Sequence, residues 1–179
     1  MDTNSKYVNI SKLDAAKRQL EFSIKLFFRN SDVVVIHTLA AAAHEIFRGL
    51  GKKQGVRSLI KDQALDVIKK DKQKVFLATV NKAENFFKHA NWDSDEQLKF
   101  HFESTAFLIF DACEMYQVLT KETVPLFGIF KVWFLSKYPE LVIDEHLKQQ
   151  TEKYKSCLNP DNRSGYLEML PILEDRLLS

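Results

Sequence analysis

The stretch SKLDAAKRQLEFSIKLFFRNSDVVVIHTLAAAAHEIFRGLG, residues 11–51, decides the fold class. In its first half Leu13, Ala16, Leu20, Ile24, Phe27 and Phe28 recur at steps of three and four, the period of one helix face. Ser11 with Asp14 three residues on is a carboxylate variant of the capping box and opens a helix over about 12–29. Asn30-Ser31-Asp32 breaks it, and Asp32 is a good N-cap for a second helix from Val33 to about Arg48, expected to stop at Gly49-Leu50-Gly51. A link this short makes the two an antiparallel hairpin.

The rest of the chain has the same character. It holds 179 residues with five Gly and four Pro, about 5% breakers against roughly 12% in average proteins. Long helices follow, and a β-sandwich or barrel with its many turns is excluded. Helices are expected over about 58–70, 72–90 and 103–121, with a break at Asn91–Asp95. Pro125 then opens a Phe-, Leu- and Trp133-rich helix that ends at Pro139. A solvated helix over about 144–158, the turn at Asn159-Pro160 and a short helix interrupted by Pro171 complete the chain. The expected organisation is a loose tail over 1–10, a helical bundle over 11–139 and a helical extension over 140–179.

Charge and cysteine content narrow the classes further. There are 26 Lys and Arg against 24 Asp and Glu, so the balance by itself implies no anionic partner. Residues 48–74 differ: nine Lys or Arg face three Asp, a local net charge of +6. This segment is the candidate contact for a nucleotide or RNA. Cys113 and Cys157 form no CxxC pair, so no disulfide framework is expected and a reducing, cytoplasmic setting is the simple reading. No apolar leader is visible at the N-terminus. The longest uncharged apolar run, Val33–Ala43, falls short of the roughly 20 residues a membrane span needs.

Three groups of side chains could carry chemistry. On a helical wheel His37, Ala41, His44 and Arg48 fall within about 60° of one another, a polar stripe that could line a ligand site. Asn85 and His89 lie four apart; a neutral imidazole can act as general base while an amide orients the substrate. Asp111 sits among Phe107, Leu108, Met115 and Val118, where a carboxylate is costly unless paired with a cation, His89 or His37 being the first candidates. His89, Asn85 and Asp111 are therefore the catalytic candidates, and His37, His44 and Arg48 the ligand-binding ones. No metal site or cofactor is expected: His44-Glu45 lacks the second histidine of HExxH, and His37 and His44 are roughly 10 Å apart along the axis. Gly49-Leu-Gly51-Lys52-Lys53-Gln-Gly55 is not a phosphate-binding P-loop, because it lacks GxxxxGK[ST] and follows a helix.

The hairpin AAKRQLEFSIKLFF with VIHTLAAAAHEIFRGL resembles the first hairpin of HEPN domains, small all-α bundles of bacterial toxins, phage defence and nucleotide-binding proteins. Their signature is Arg-x4–6-His, often beginning Arg-Asn. Glu84-Asn85-Phe-Phe-Lys-His89 has that spacing, with Asn85 and His89 in place and Glu84 where the arginine stands. In that family the arginine and histidine cleave RNA, commonly at a dimer interface, so the resemblance implies a homodimer and the substitution argues against nuclease activity. A further likeness, over about residues 15–138, is to short bacterial all-α proteins sharing IHTLA, NFFKHA and DACxxY stretches, with no known activity. The resulting expectation is a HEPN-like antiparallel helical bundle, associated with nucleotide or RNA and not an active nuclease. A non-catalytic protein-interaction bundle is the alternative, and a metal-assisted hydrolase the third.

Overall fold

A computed structural model describes residues 7–89, 95–157 and 159–178. The fold is all-α. Its elements are α1 (Lys12–Phe28), α2 (Val33–Gly51), α3 (Lys70–Val80), α4 (Lys82–Lys88), α5 (Ser104–Thr120), α6 (Pro125–Lys137), α7 (Glu145–Cys157), α8 (Arg163–Glu168) and α9 (Leu170–Leu178). Residues 91–94 of the break expected at Asn91–Asp95, and the first six residues of the expected tail, lie outside the described residues.

The sequence signals that open the hairpin operate as chemistry predicts. Ser11 Oγ accepts the Asp14 N–H at 3.0 Å, and Asp32 Oδ1 accepts from Val34 and Val35 N–H, both at 3.0 Å. These bonds satisfy N–H groups that a helix start leaves orphaned. Between the helices Asn30 takes φ 51°, a left-handed conformation that asparagine tolerates better than most residues.

Four helices make the core, and their directions follow from side-chain pairs. α1 and α2 are the antiparallel hairpin. Phe27 stacks on Phe102 at the start of α5 (5.5 Å), whereas Lys17 reaches Tyr116 and Glu122 at its other end, so α1 and α5 are antiparallel. Phe107 meets Phe134 while Tyr116 meets Phe127, so α5 and α6 are antiparallel as well. α2 and α5 run parallel: His37 bonds Thr105, and His44 bonds Asp111 one step further along both helices. The excursion through residues 52–103 returns the chain to make this possible.

The C-terminal segment enters the same core. Pro160 C=O accepts the Trp133 Nε1–H at 2.9 Å. Tyr166, fully buried, stacks on Phe28 at 5.8 Å. The Arg163 guanidinium lies 4.3 Å from the Phe27 ring, 4.6 Å from Phe102 and 5.6 Å from Trp133, the cation–π arrangement that suits a planar, weakly hydrated cation.

Three boundaries differ from the sequence expectation. α2 does not stop at Gly49-Leu50-Gly51; it runs through Gly51 into a 3-10 turn at Lys52–Gln54 and ends at Gly55, φ 72°. A glycine inside a helix costs only about 1 kcal/mol, which packing overrides. Residues 58–70 are not an α-helix but turns with a 3-10 segment at Gln63–Asp66; at their start the Leu59 and Ile60 N–H groups are directed at a buried carboxylate, as described below. The helix expected over 72–90 starts at Lys70 and is two helices, divided at Asn81.

Continued through its 3-10 turn, α2 is the one described stretch, Val33–Gln54, long and apolar enough to cross a membrane by length and composition. The central helix of a bundle has the same composition, and here its alanine-rich face is covered by α1 and α5.

The two glycines of α2 separate by their surroundings. A Cβ on Gly51 would lie 2.9 Å from Val56 Cβ and 3.0 Å from its carbonyl oxygen, whereas one on Gly49 meets nothing within 4 Å. Gly51→Ala should destabilise the fold by about 1–3 kcal/mol through overpacking. Gly49→Ala should stabilise it by roughly 0.5–1 kcal/mol through helix propensity. Urea denaturation of both variants checks the pair.

Candidate functional site

The polar interior is organised around Asp111 on α5. Its Oδ2 accepts from His44 Nε2 at 2.8 Å and from Ser58 Oγ at 2.5 Å. Oδ1 accepts the Leu59 N–H at 2.9 Å, with the Ile60 N–H 3.4 Å from Oδ2. Ser58 Oγ in turn accepts the Lys61 N–H at 2.9 Å. Asp111 is 1% exposed, and His44 and Ser58 are 0%. A buried carboxylate must be paired and hydrogen-bonded to be tolerated. This one is met by the chain at 58–60, which supplies the Ser58 hydroxyl and the Leu59 and Ile60 N–H groups.

Serine, histidine and aspartate are thus together, but their wiring is not that of a nucleophilic triad. There the histidine stands between serine and carboxylate and takes the hydroxyl proton. Here the carboxylate accepts from both, His44 Nε2 faces Asp111, and Ser58 lies 3.3 Å from that same nitrogen. With no solvent exposure at either residue, the arrangement ties α2, α5 and the 58–61 turn together and exposes no nucleophile.

A second cluster continues outward. Lys61, 1% exposed, donates from Nζ to Glu45 Oε1 at 2.6 Å and to Glu84 Oε2 at 3.0 Å. Lys88 Nζ donates to Glu84 Oε1 at 2.7 Å. Arg48 holds Asp62 through Nε and Nη2 at 2.6–3.0 Å, and Asp62 Oδ2 accepts the Ser58 N–H at 3.0 Å. Arg57 is bidentate on Asp66, both contacts 2.8 Å.

Titration follows this geometry. Burial pushes Asp111 up, but His44, Ser58 and the Leu59 N–H more than offset it, so its pKa lies below the ordinary value. Burial pushes His44 down, and Asp111 with Glu45 (3.7 Å from Nδ1) brings its pKa above 6.5. His37 differs. Its Nδ1 lies 2.9 Å from Thr105 Oγ1, and its ring packs edge-on against Phe87 and Phe100. Burial, aided by Lys61 and Lys88 against the opposing pull of Glu84, lowers it to about 4.

The six residues singled out from sequence do not meet in one cavity. His37, His44 and Asp111 are buried, on the inner seam between α2 and α5, so the histidine stripe faces the core and not a ligand site. Asp111 is paired as expected of a carboxylate on an apolar arc, but with His44, not His89 or His37. Arg48 is half-buried and engaged with Asp62. Asn85 and His89 are exposed, on the outer side of α4, whose buried residue is Glu84.

Sequence reasoning missed Ser58, Lys61, Glu45 and Glu84 as partners. The available signal was Ser58 three residues ahead of Lys61, read as a helix start when it caps a turn. Among the described residues no three His, Cys, Asp or Glu are grouped to hold a metal ion. A cleft of about 520 Å³ lies instead in the basic segment, lined by Lys52, Gly55, Val56, Arg57, Asp62, Leu65, Asp66 and Gln73. Compared with known proteins, the chain matches no family model, no curated protein and no solved structure.

Two outcomes follow. Asp111→Ala leaves His44, Ser58 and two backbone N–H groups buried without their acceptor, and should cost about 3–5 kcal/mol in chemical denaturation. For pH, the unfolded chain protonates His37 near 6.5 whereas the folded chain refuses that proton until about 4. Stability should therefore fall as pH drops from 6.5 to 4, by up to about 3 kcal/mol at 1.36 kcal/mol per pKa unit. His44 adds no slope there: its raised pKa stabilises fully below 6.5, and that contribution is lost only as pH rises through the folded value. Asp111, Glu45 and Glu84, all lowered, lose theirs as pH falls through their own folded values. Urea midpoints of wild type and His37→Gln at pH 7 and 5 check this; the variant should flatten the profile.

Proposed function

We propose that the chain is a HEPN-like helical module that binds RNA through the basic segment 48–74 without cleaving it. The observation that carries this reading is how the fold divides the charges of that segment. Arg48, Arg57 and Lys61 are engaged by Asp62, Asp66 and the pair Glu45/Glu84. Lys52, Lys53, Lys69, Lys70, Lys72 and Lys74 are all exposed. Of these, Lys72 faces a carboxylate, Asp71 at 3.5 Å, both side chains about 70% exposed. A surface ion pair of that kind is weak and easily exchanged for a phosphate.

The placement of these lysines supports the same reading. Lys52 stands on the wall of the cleft, and Lys70, Lys72 and Lys74 ride on α3, a helix with no buried residue. Lysines released from internal pairing can displace counterions from a phosphate backbone, which is the main source of sequence-independent affinity.

The absence of cleavage is argued from Glu84. It occupies the position of the family's arginine and is held between Lys61 and Lys88, so a carboxylate stands where a guanidinium would stabilise a phosphate. The reading places the protein in the cytoplasm, the reducing setting that a chain with two cysteines and no CxxC pair suits.

Fluorescence anisotropy with a single-stranded RNA tests the proposal. If all six lysines contact phosphates, log Kd against log salt should have a slope of about 4 between 50 and 200 mM. Replacing Lys52, Lys53, Lys70 and Lys74 by Gln should weaken binding and reduce that slope by about 3. The RNA should remain intact after prolonged incubation. No binding at 50 mM salt, or cleavage products on a gel, would overturn the corresponding half of the reading.

A further inference from the structure

α3 and α4 form an arm whose attachment to the bundle is unusual in kind. Between Lys70 and Lys88 one residue is buried, and it is the charged Glu84. Its carboxylate reaches Lys61, whose side chain is 2% exposed, at 3.0 Å, and Lys88 of its own helix at 2.7 Å. The remaining attachments are thinner. Phe87 packs edge-on against His37 (5.6 Å) and Phe100 (5.3 Å). Gln73 Nε2 donates to the carbonyls of Leu65 and Ile68. Lys82 and Glu96, both largely exposed, lie 3.5 Å apart.

Lys61 has a second carboxylate. Glu45, on α2 and outside the arm, also holds it at 2.6 Å. Detaching Glu84 therefore leaves no uncompensated buried cation in the body of the protein. The body also keeps its own couplings, His44–Asp111 and His37–Thr105, which do not pass through the arm.

We propose that α3–α4 is an arm latched by Glu84 onto Lys61, and that it opens as a unit about the bend at Ile68–Lys69 while α1, α2, α5 and α6 stay folded. Opening moves Lys70, Lys72 and Lys74 together relative to the cleft wall that carries Lys52. The latch rests on contacts within the chain and stands whether or not the protein binds RNA.

Hydrogen exchange read by mass spectrometry on the full chain tests it, since local opening appears as faster exchange confined to one cooperative unit. Glu84→Ala should accelerate amide exchange across residues 70–88 by tenfold or more and leave α1, α2 and α5 within twofold of wild type. Phe87→Ala serves as the comparison and should have a smaller effect on the same segment. Unchanged rates in 70–88 of Glu84→Ala, or equal acceleration in all helices, would overturn the latch. A large effect of Phe87→Ala with none of Glu84→Ala would overturn it too, assigning the hold to ring packing.

Discussion

Burying one carboxylate constrains the rest of this fold. Asp111 faces inward on α5, and a charge in that position is tolerated only if every oxygen is met by donors. The donors come from two places: His44 from α2, and Ser58, Leu59 and Ile60 from the turn after α2. Two consequences follow from the one requirement. The 58–61 turn is held against α5, and His44 is held in a fixed orientation on the core seam.

The turn ordered by Asp111 passes the constraint on. Once Ser58 is fixed, Lys61 is buried beside it and needs carboxylates of its own, supplied by Glu45 and Glu84. Asp62 is fixed through the Ser58 N–H and receives Arg48. The charges near residues 44–62 are therefore arranged by a chain of neighbours beginning at one acid. What this chain does not use, the lysines of 52–53 and 69–74, is exposed to solvent. Glu84 of α4 is drawn into the same internal network through Lys61 and Lys88.

Aromatic packing supplies the complementary, apolar half of the structure. Phe27, Phe28, Phe130 and Trp133 form one cluster with centroid separations of 4.7–6.2 Å. Arg163 and Tyr166 close it from the C-terminal side. Each ring buries a large area, and offset or edge-on contacts add to that. The polar hub lies along the α2–α5 seam and the aromatic cluster on α1 and α6, so loss of one does not directly remove the contacts of the other.

The sequence by itself determined the all-α class, the α1–α2 hairpin with its caps at Ser11 and Asp32, the extents of α5 and α6, and the need for Asp111 to be paired. These follow from signals within a few residues of each other: helical periodicity, capping side chains, proline at a first helical position, a carboxylate on an apolar arc. Tertiary structure alone decided that His44 and not His37 or His89 is the partner, that the histidine stripe faces inward, that residues 58–70 are turns, and that Asn85 and His89 face outward. Each of those depends on which helix lies across from which. One sequence does not encode that locally, because the groups that meet Asp111 lie 67 and 53 residues from it along the chain, beyond the reach of periodicity and capping signals read from neighbours.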